Sequence, residues 1–174
     1  FKESLKYSPP DVMAYGYEEL KNVYLDGRIA MMVQWSDVQK KAQDPSISKI
    51  ANKSGIAIMP GSVVNGKIVR SAPMPVGRVL AVPKTSRNAE AAYIAARYLS
   101  VETSLHDVSS PETGLDPYRK SHVANPKAFA QILGNEAAAK EYLNVVGQNL
   151  ENAYPEINIP GAGNYQDVLD LYIN

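Results

Sequence analysis

The sequence predicts an α/β protein. Short apolar runs are closed off by glycine, proline or serine, longer stretches carry apolar residues at helical spacing, and the two kinds of segment alternate along the chain. With 174 residues, 45% hydrophobic and 21% charged, the chain has the length and apolar content for a real core.

After the turn at "SPPD", Tyr17, Leu20, Val23 and Tyr24 recur at helical spacing, and Gly27 stands where a C-terminal cap belongs. "RIAMMVQW" is an apolar run between Gly27 and Ser36 and predicts a buried strand. "SDVQKKAQ" then predicts a helix with Ser36 or Asp37 as cap, which leaves Gln34 and Trp35 at the strand-to-helix junction. "GIAIMPG" and "VGRVLAVPK" predict two more buried strands. Between them, Asn65 and Gly66 flanked by β-branched residues predict a hairpin. "SRNAEAAYIAARYLS" is a helix capped by Ser86 or Asn88, with Ala91, Ala92, Ala95 and Leu99 as a close-packing face. A loop-rich stretch follows, then a short helix opened by Pro126, a longer one over "NEAAAKEYLNVVGQNLENA", a Pro/Gly connector, and a final amphipathic helix over "YQDVLDLYI". The methionines and most of the 11 tyrosines read as packing residues, with one or two of the tyrosines, which include Tyr7, Tyr15, Tyr17 and Tyr118, left to line a cleft.

Composition excludes several function classes. There is no cysteine, hence no disulfide, thiolate metal site or cysteine nucleophile. With two histidines, a metal site built mainly on imidazole is not expected, and no cofactor is. Lys+Arg and Asp+Glu are both 18, so no global basic field draws nucleic acid. No stretch reaches membrane-spanning length. The chain opens on Phe1 without an initiator Met or a signal peptide, which reads as a processed product or a fragment.

The segment "LDPYRKSH" at 115–122 concentrates an acid, an aromatic, two basic groups, a hydroxyl and a histidine. Asp116, Ser121 and His122 lie too close in one loop to converge as a triad, and no P-loop, dinucleotide fingerprint or nucleophile elbow occurs. His122 reads as a hydrogen-bonding loop residue.

The order of the pieces is more specific than any one of them. "LDGRIAMMVQW" precedes "GIAIMPG", then "VGRVLAVPKTSRNAEAAYIAARYLS", "TGLDPYRKS" and "YPEINIPGAGNYQDVLDLYI". This order resembles the C-terminal half of the extracellular solute-binding proteins of bacterial carbohydrate ABC transporters, the group often called family 1. There, a glycine-led segment runs into a strand ending near Trp, a second leads through "P-K-x-S" into an Ala-rich helix, and a later loop carries "P-x-R-x-S". Those positions are residues 25–35, 76–92 and 117–121 here.

The resemblance implies a two-lobe Venus-flytrap fold, periplasmic binding protein type II, of which this chain is a partial copy covering mainly the C-terminal lobe. By family topology, residues 1–54 belong to the second lobe, 55–104 cross back to complete the first, and 105–174 return to the second. On that layout the strands at 55–59 and 76–82 lack sheet partners, and such edges invite pairing with another chain. Self-association through them, or their repacking, is therefore expected. The implied function is non-catalytic capture of a carbohydrate or polyol in the periplasm or outside the cell, with hand-over to a membrane permease.

The residues the resemblance places at a ligand cleft are Gln34, Trp35, Asp37, Gly77, Arg78, Asp116, Tyr118 and Arg119. Trp35, the only tryptophan, can stack on the flat C–H face of a sugar; as an alternative it packs between lobes. Gln34 and Asp37 flank it as hydroxyl partners, with Asp37 equally able to cap its helix. Arg119 can fork onto vicinal hydroxyls or a carboxylate, or else pair with Asp116 on the surface. Asp116 can accept hydroxyl hydrogens or cap "PYRKS". Tyr118 is a candidate apolar wall. Gly77 and Arg78 depart from the family's paired glycines followed by an aromatic, so Arg78 reads either as an anion partner or as a stem packed on the strand edge. The rivals are a sugar-processing enzyme, for which Asp116 and Glu112 are the closest acidic pair in this loop, and the ligand-sensing domain of a regulator.

Overall fold

The computed structural model describes residues 3–70, 77, 79–154 and 159–173. The chain divides into two compact units. The first takes the described residues up to Ile58 and from Leu80 to Gln148; the second takes those from Met59 to Val79 and from Asn149 onward.

The first unit is helical. Two 3₁₀ turns, Ser4–Tyr7 and Val12–Ala14, lead into α1 (Tyr17–Leu25). Glu19 reaches back to the Gly16 N–H at 3.0 Å and so satisfies one donor at the helix start. The end of α1 is a full Schellman turn. Gly27 at φ +73° donates to the Tyr24 carbonyl, and Arg28 donates to that of Val23. Leu25 then packs with Val38 and Ala42 of α2 (Asp37–Ala42), with Tyr17, Tyr24, Met32 and Ile50 around them.

The larger core lies farther along the chain. It joins Val108 of α4 (Ser104–Ser109), Phe129 of α6 (Pro126–Ala130), Leu133, and the stripe Ala139, Tyr142, Leu143 and Val146 of α7 (Glu136–Glu151), which belongs to this unit as far as Gln148. That stripe follows i, i+3, i+4, i+7, the spacing that puts residues on one helix face. Asn135 caps α7 by accepting the Ala138 N–H at 2.9 Å. Pro126 opens α6, as its fixed φ favours. The helix α3 (Ala89–Val101) forms where the Ala-rich run predicts it, but none of its residues is buried, so the expected packing face of Ala91, Ala92, Ala95 and Leu99 is not a core face. The stretch read as a loop, 107–126, contains the end of α4 and a four-residue α5 (Lys120–Val123).

In the second unit, β1 (Gly61–Val64) pairs antiparallel with β2 (Lys67–Arg70), Val63 opposite Ile68 and Val64 opposite Lys67. Asn65 at φ +51° and Gly66 at φ +74° form the tight turn their dipeptide predicts. Helix α8 (Ala162–Ile173) closes the chain.

The hairpin is the only sheet among the described residues. The strands expected over 28–35 and 55–59 do not form, nor does the described part of the third, while Val76 and Arg78 lie outside the described residues. An apolar run becomes a strand only when another backbone takes up its N–H and C=O groups, and no ladder runs along these segments among the described residues. The packing readings fail in part for a related reason. Met13 and Met31 are exposed while Met32 packs, and Tyr142 alone of the tyrosines is fully buried. Met74 lies outside the described residues.

Candidate functional site

Residues 28–35 lead into α2 without regular secondary structure. Alternate side chains face outward, so Met31, Val33 and Trp35 are exposed while Met32 turns to the core. Gln34 holds the junction by accepting the Trp35 N–H on Oε1 at 3.0 Å. Trp35 is 47% exposed. Its ring packs on Tyr17, the first residue of α1, with centroids 5.5 Å apart and planes tilted by 33°. The Lys21 ammonium lies 5.3 Å from the Tyr17 ring centroid.

Beneath this aromatic pair lies a buried polar cluster. Asp37, at the first position of α2, is fully buried. Its Oδ2 accepts the Tyr17 hydroxyl at 2.7 Å and the Lys41 ammonium at 3.0 Å, whereas Oδ1 has no hydrogen-bond partner among the described residues. Burial, then the Asp37 carboxylate, pushes the Tyr17 phenol well above its ordinary value. Lys41 also donates to the Thr113 carbonyl at 3.1 Å. Ser36 is the N-cap residue of α2 but makes no side-chain cap; its hydroxyl goes instead to Asp116 Oδ1. Desolvation raises the Asp116 carboxyl above the usual range, against the lowering effect of Ser36 and the nearby Lys40. Burial also raises the Tyr142 phenol, against the lowering effect of the nearby Ser36 hydroxyl.

Lys40 is the strongest constraint in the cluster. It is fully buried, and its ammonium donates to the carbonyls of Val108 at 2.7 Å and Leu115 at 2.9 Å. Burial brings it down to about 8, with the Asp116 and Asp37 charges opposing the shift. Together Lys40, Lys41 and Ser36 strap the loop that carries Asp116 onto α2.

Tyr118 and Arg119 turn elsewhere. The Tyr118 hydroxyl donates to the Ser100 carbonyl at 3.3 Å and Arg119 Nη2 donates to the same oxygen at 2.8 Å, so both serve the last turn of α3. The guanidinium sits 5.4 Å from the Tyr118 ring centroid, and that ring meets His122 edge-on at 4.8 Å. His122 is buried, contacts Ser104 Oγ through Nε2 at 3.3 Å, and is lowered first by desolvation, then by Arg119.

The structure therefore brings Gln34, Trp35, Asp37 and Asp116 together and directs Tyr118 and Arg119 toward Ser100. Gly77 is exposed with open space around it, and Arg78 lies outside the described residues. Sequence reading held Tyr17 only as one of several tyrosines that could line a cleft, and missed its contact with Trp35, Ser36's link to Asp116, and the two lysines. Only the i, i+4 spacing of Asp37 and Lys41 could have signalled any of these. Chemically, the corner offers an apolar aromatic face beside the Gln34 amide, whose Nε2 makes no hydrogen bond among the described residues. No family model, no curated protein and no solved structure matches the chain.

Proposed function

We propose that the protein binds a carbohydrate or polyol without transforming it, as part of a solute-capture system outside the inner membrane that delivers to the permease of an ABC transporter. The observation that carries this reading is the half-exposed Trp35, backed by Tyr17 and flanked by Gln34. A flat aromatic face with hydrogen-bonding groups at its edge suits the apolar face and equatorial hydroxyls of a sugar ring. The motif order in the sequence supports the same reading. In it, ligand bridges two lobes and favours the closed form, because only that form makes both sets of contacts. Gln34 and Trp35 are the ligand contacts with exposed groups to offer. Asp37 and Asp116 act behind them, while Tyr118, Arg119, Gly77 and Arg78 remain part of the proposed cleft through the resemblance alone.

A sugar-processing enzyme is the competing reading. The raised Asp116 carboxyl close to the Asp37 charge is the observation in its favour, since a general acid needs such an environment. Turnover of a labelled oligosaccharide decides for it. A thermal-shift screen of neutral sugars, polyols and sugar phosphates tests the binding reading. A saturable rise in melting temperature with at least one sugar or polyol supports it, and no shift with any compound rejects it.

A further inference from the structure

We infer that Tyr17 is a positioning residue for Trp35: it joins the indole to the Asp37 carboxylate and fixes the outward ring face before ligand arrives. The inference rests on the proposed role of Trp35 as a stacking surface. Among the described residues, Trp35 ends a segment that has no ladder, and its own backbone N–H is held only by the neighbouring Gln34 side chain. Nothing in that segment would by itself choose a rotamer for a ring that is 47% exposed. Tyr17 supplies the missing constraint at both of its ends. Its ring lies 5.5 Å from the indole, and its hydroxyl reaches Asp37 Oδ2 at 2.7 Å.

Both anchors of Tyr17 are rigid. Its backbone begins α1, where the Glu19 to Gly16 bond fixes the helix start. Asp37 begins α2, is fully buried, and is pinned a second time by Lys41 at 3.0 Å. Because Asp37 lies two residues after Trp35, the contacts close a circuit from indole to phenol to carboxylate and back along the chain. Lys21, 5.3 Å from the Tyr17 ring centroid, further limits that ring. An aromatic platform ordered in advance spares the ligand the entropy of ordering it. The same circuit takes up Asp37 Oδ2, which is enclosed and bonded to both Tyr17 and Lys41.

The test uses the fact that Trp35 is the only tryptophan, so indole fluorescence reads this residue alone. Tyr17→Leu is expected to shift Trp35 emission to the red and to speed its local depolarisation, and to weaken the sugar found in the thermal-shift screen roughly tenfold. Tyr17→Phe keeps the ring but cuts the hydroxyl bond to Asp37, so it is expected to fall between wild type and Tyr17→Leu in both affinity and depolarisation. Unchanged emission and depolarisation in a folded Tyr17→Leu chain would overturn the inference, as would loosened Trp35 with undiminished affinity. Should Tyr17→Leu not fold, nuclear Overhauser contacts between the Tyr17 ring and the indole of the wild-type chain decide, their absence overturning it. If no sugar binds the wild-type chain, the proposed function fails, and the fluorescence comparison still judges the Tyr17–Trp35 coupling separately.

Discussion

Lys40 donates a hydrogen bond of 2.7 Å to the carbonyl of Val108, and both residues are fully buried although 68 positions apart in the chain. A second bond to Leu115 makes the same ammonium a tie across both ends of one loop. Replacing it with methionine keeps the stem but strips the Val108 carbonyl of its donor. Lys40→Met is therefore expected to lower stability at neutral pH by about 1–3 kcal/mol, the usual cost of leaving a buried acceptor unpaired, read from urea unfolding. Limited proteolysis should open first between 108 and 116 in this variant, and unchanged cutting there would argue against the strap.

The same lysine gives stability an unusual alkaline dependence. Burial lowers Lys40 from 10.5 to about 8, so between those values the unfolded chain binds more protons than the folded one. Stability then rises with pH across that window, by up to about 3 kcal/mol for a shift of this size. Tyr17 and Tyr142 act in the opposite sense. Both are raised above 10.0 by burial, so the folded chain holds their protons longer and loses stability above pH 10. Urea midpoints should climb from about pH 8 to about pH 10 and level or fall beyond, and Lys40→Met should remove the climb. Asp116 is the largest charge opposing the Lys40 shift, so Asp116→Asn should move the climb to lower pH. A pH profile unchanged by Lys40→Met would rule out this assignment.

Gly27 closes α1 at φ +73°, and a Cβ there would meet Ile50 Cγ2 at 3.0 Å. Gly27→Ala combines left-handed backbone strain with a contact that Ile50 must yield to. A loss of about 1–2 kcal/mol is expected by chemical denaturation, compared with a small effect for alanine at Gly163, which has open space around it. Equal effects at the two sites would contradict the Schellman turn.

Local signals carried much of the fold. Asn65 and Gly66 specify a turn by their own backbone preferences, and the Ala-rich run after Asn88 carries a high helix propensity of its own. The apolar runs over 28–35 and 55–59 specify only that they can be strands; whether they are depends on a partner backbone that no local pattern encodes. Trp35, Gln34 and Asp37 were legible as a group because they flank one junction. Tyr17 was not, because its place beside Trp35 is set by how α1 returns against α2. Buried Lys40 was illegible for the opposite reason: lysine in a helix ordinarily reads as a solvated face, and its two acceptors lie 68 and 75 residues away.

Trp35 is where the proposed function stands or falls. Calorimetric titration of the wild-type chain and of Trp35→Ala with the sugar or polyol that gives the largest thermal shift is the direct test, with far-UV circular dichroism confirming that both chains are folded. Saturable binding to the wild type and a loss of about tenfold or more in Trp35→Ala is the expected result, in line with removal of a stacking aromatic at a binding site. Equal affinity in the two folded chains, or no heat of binding in either, would contradict a carbohydrate site at Trp35.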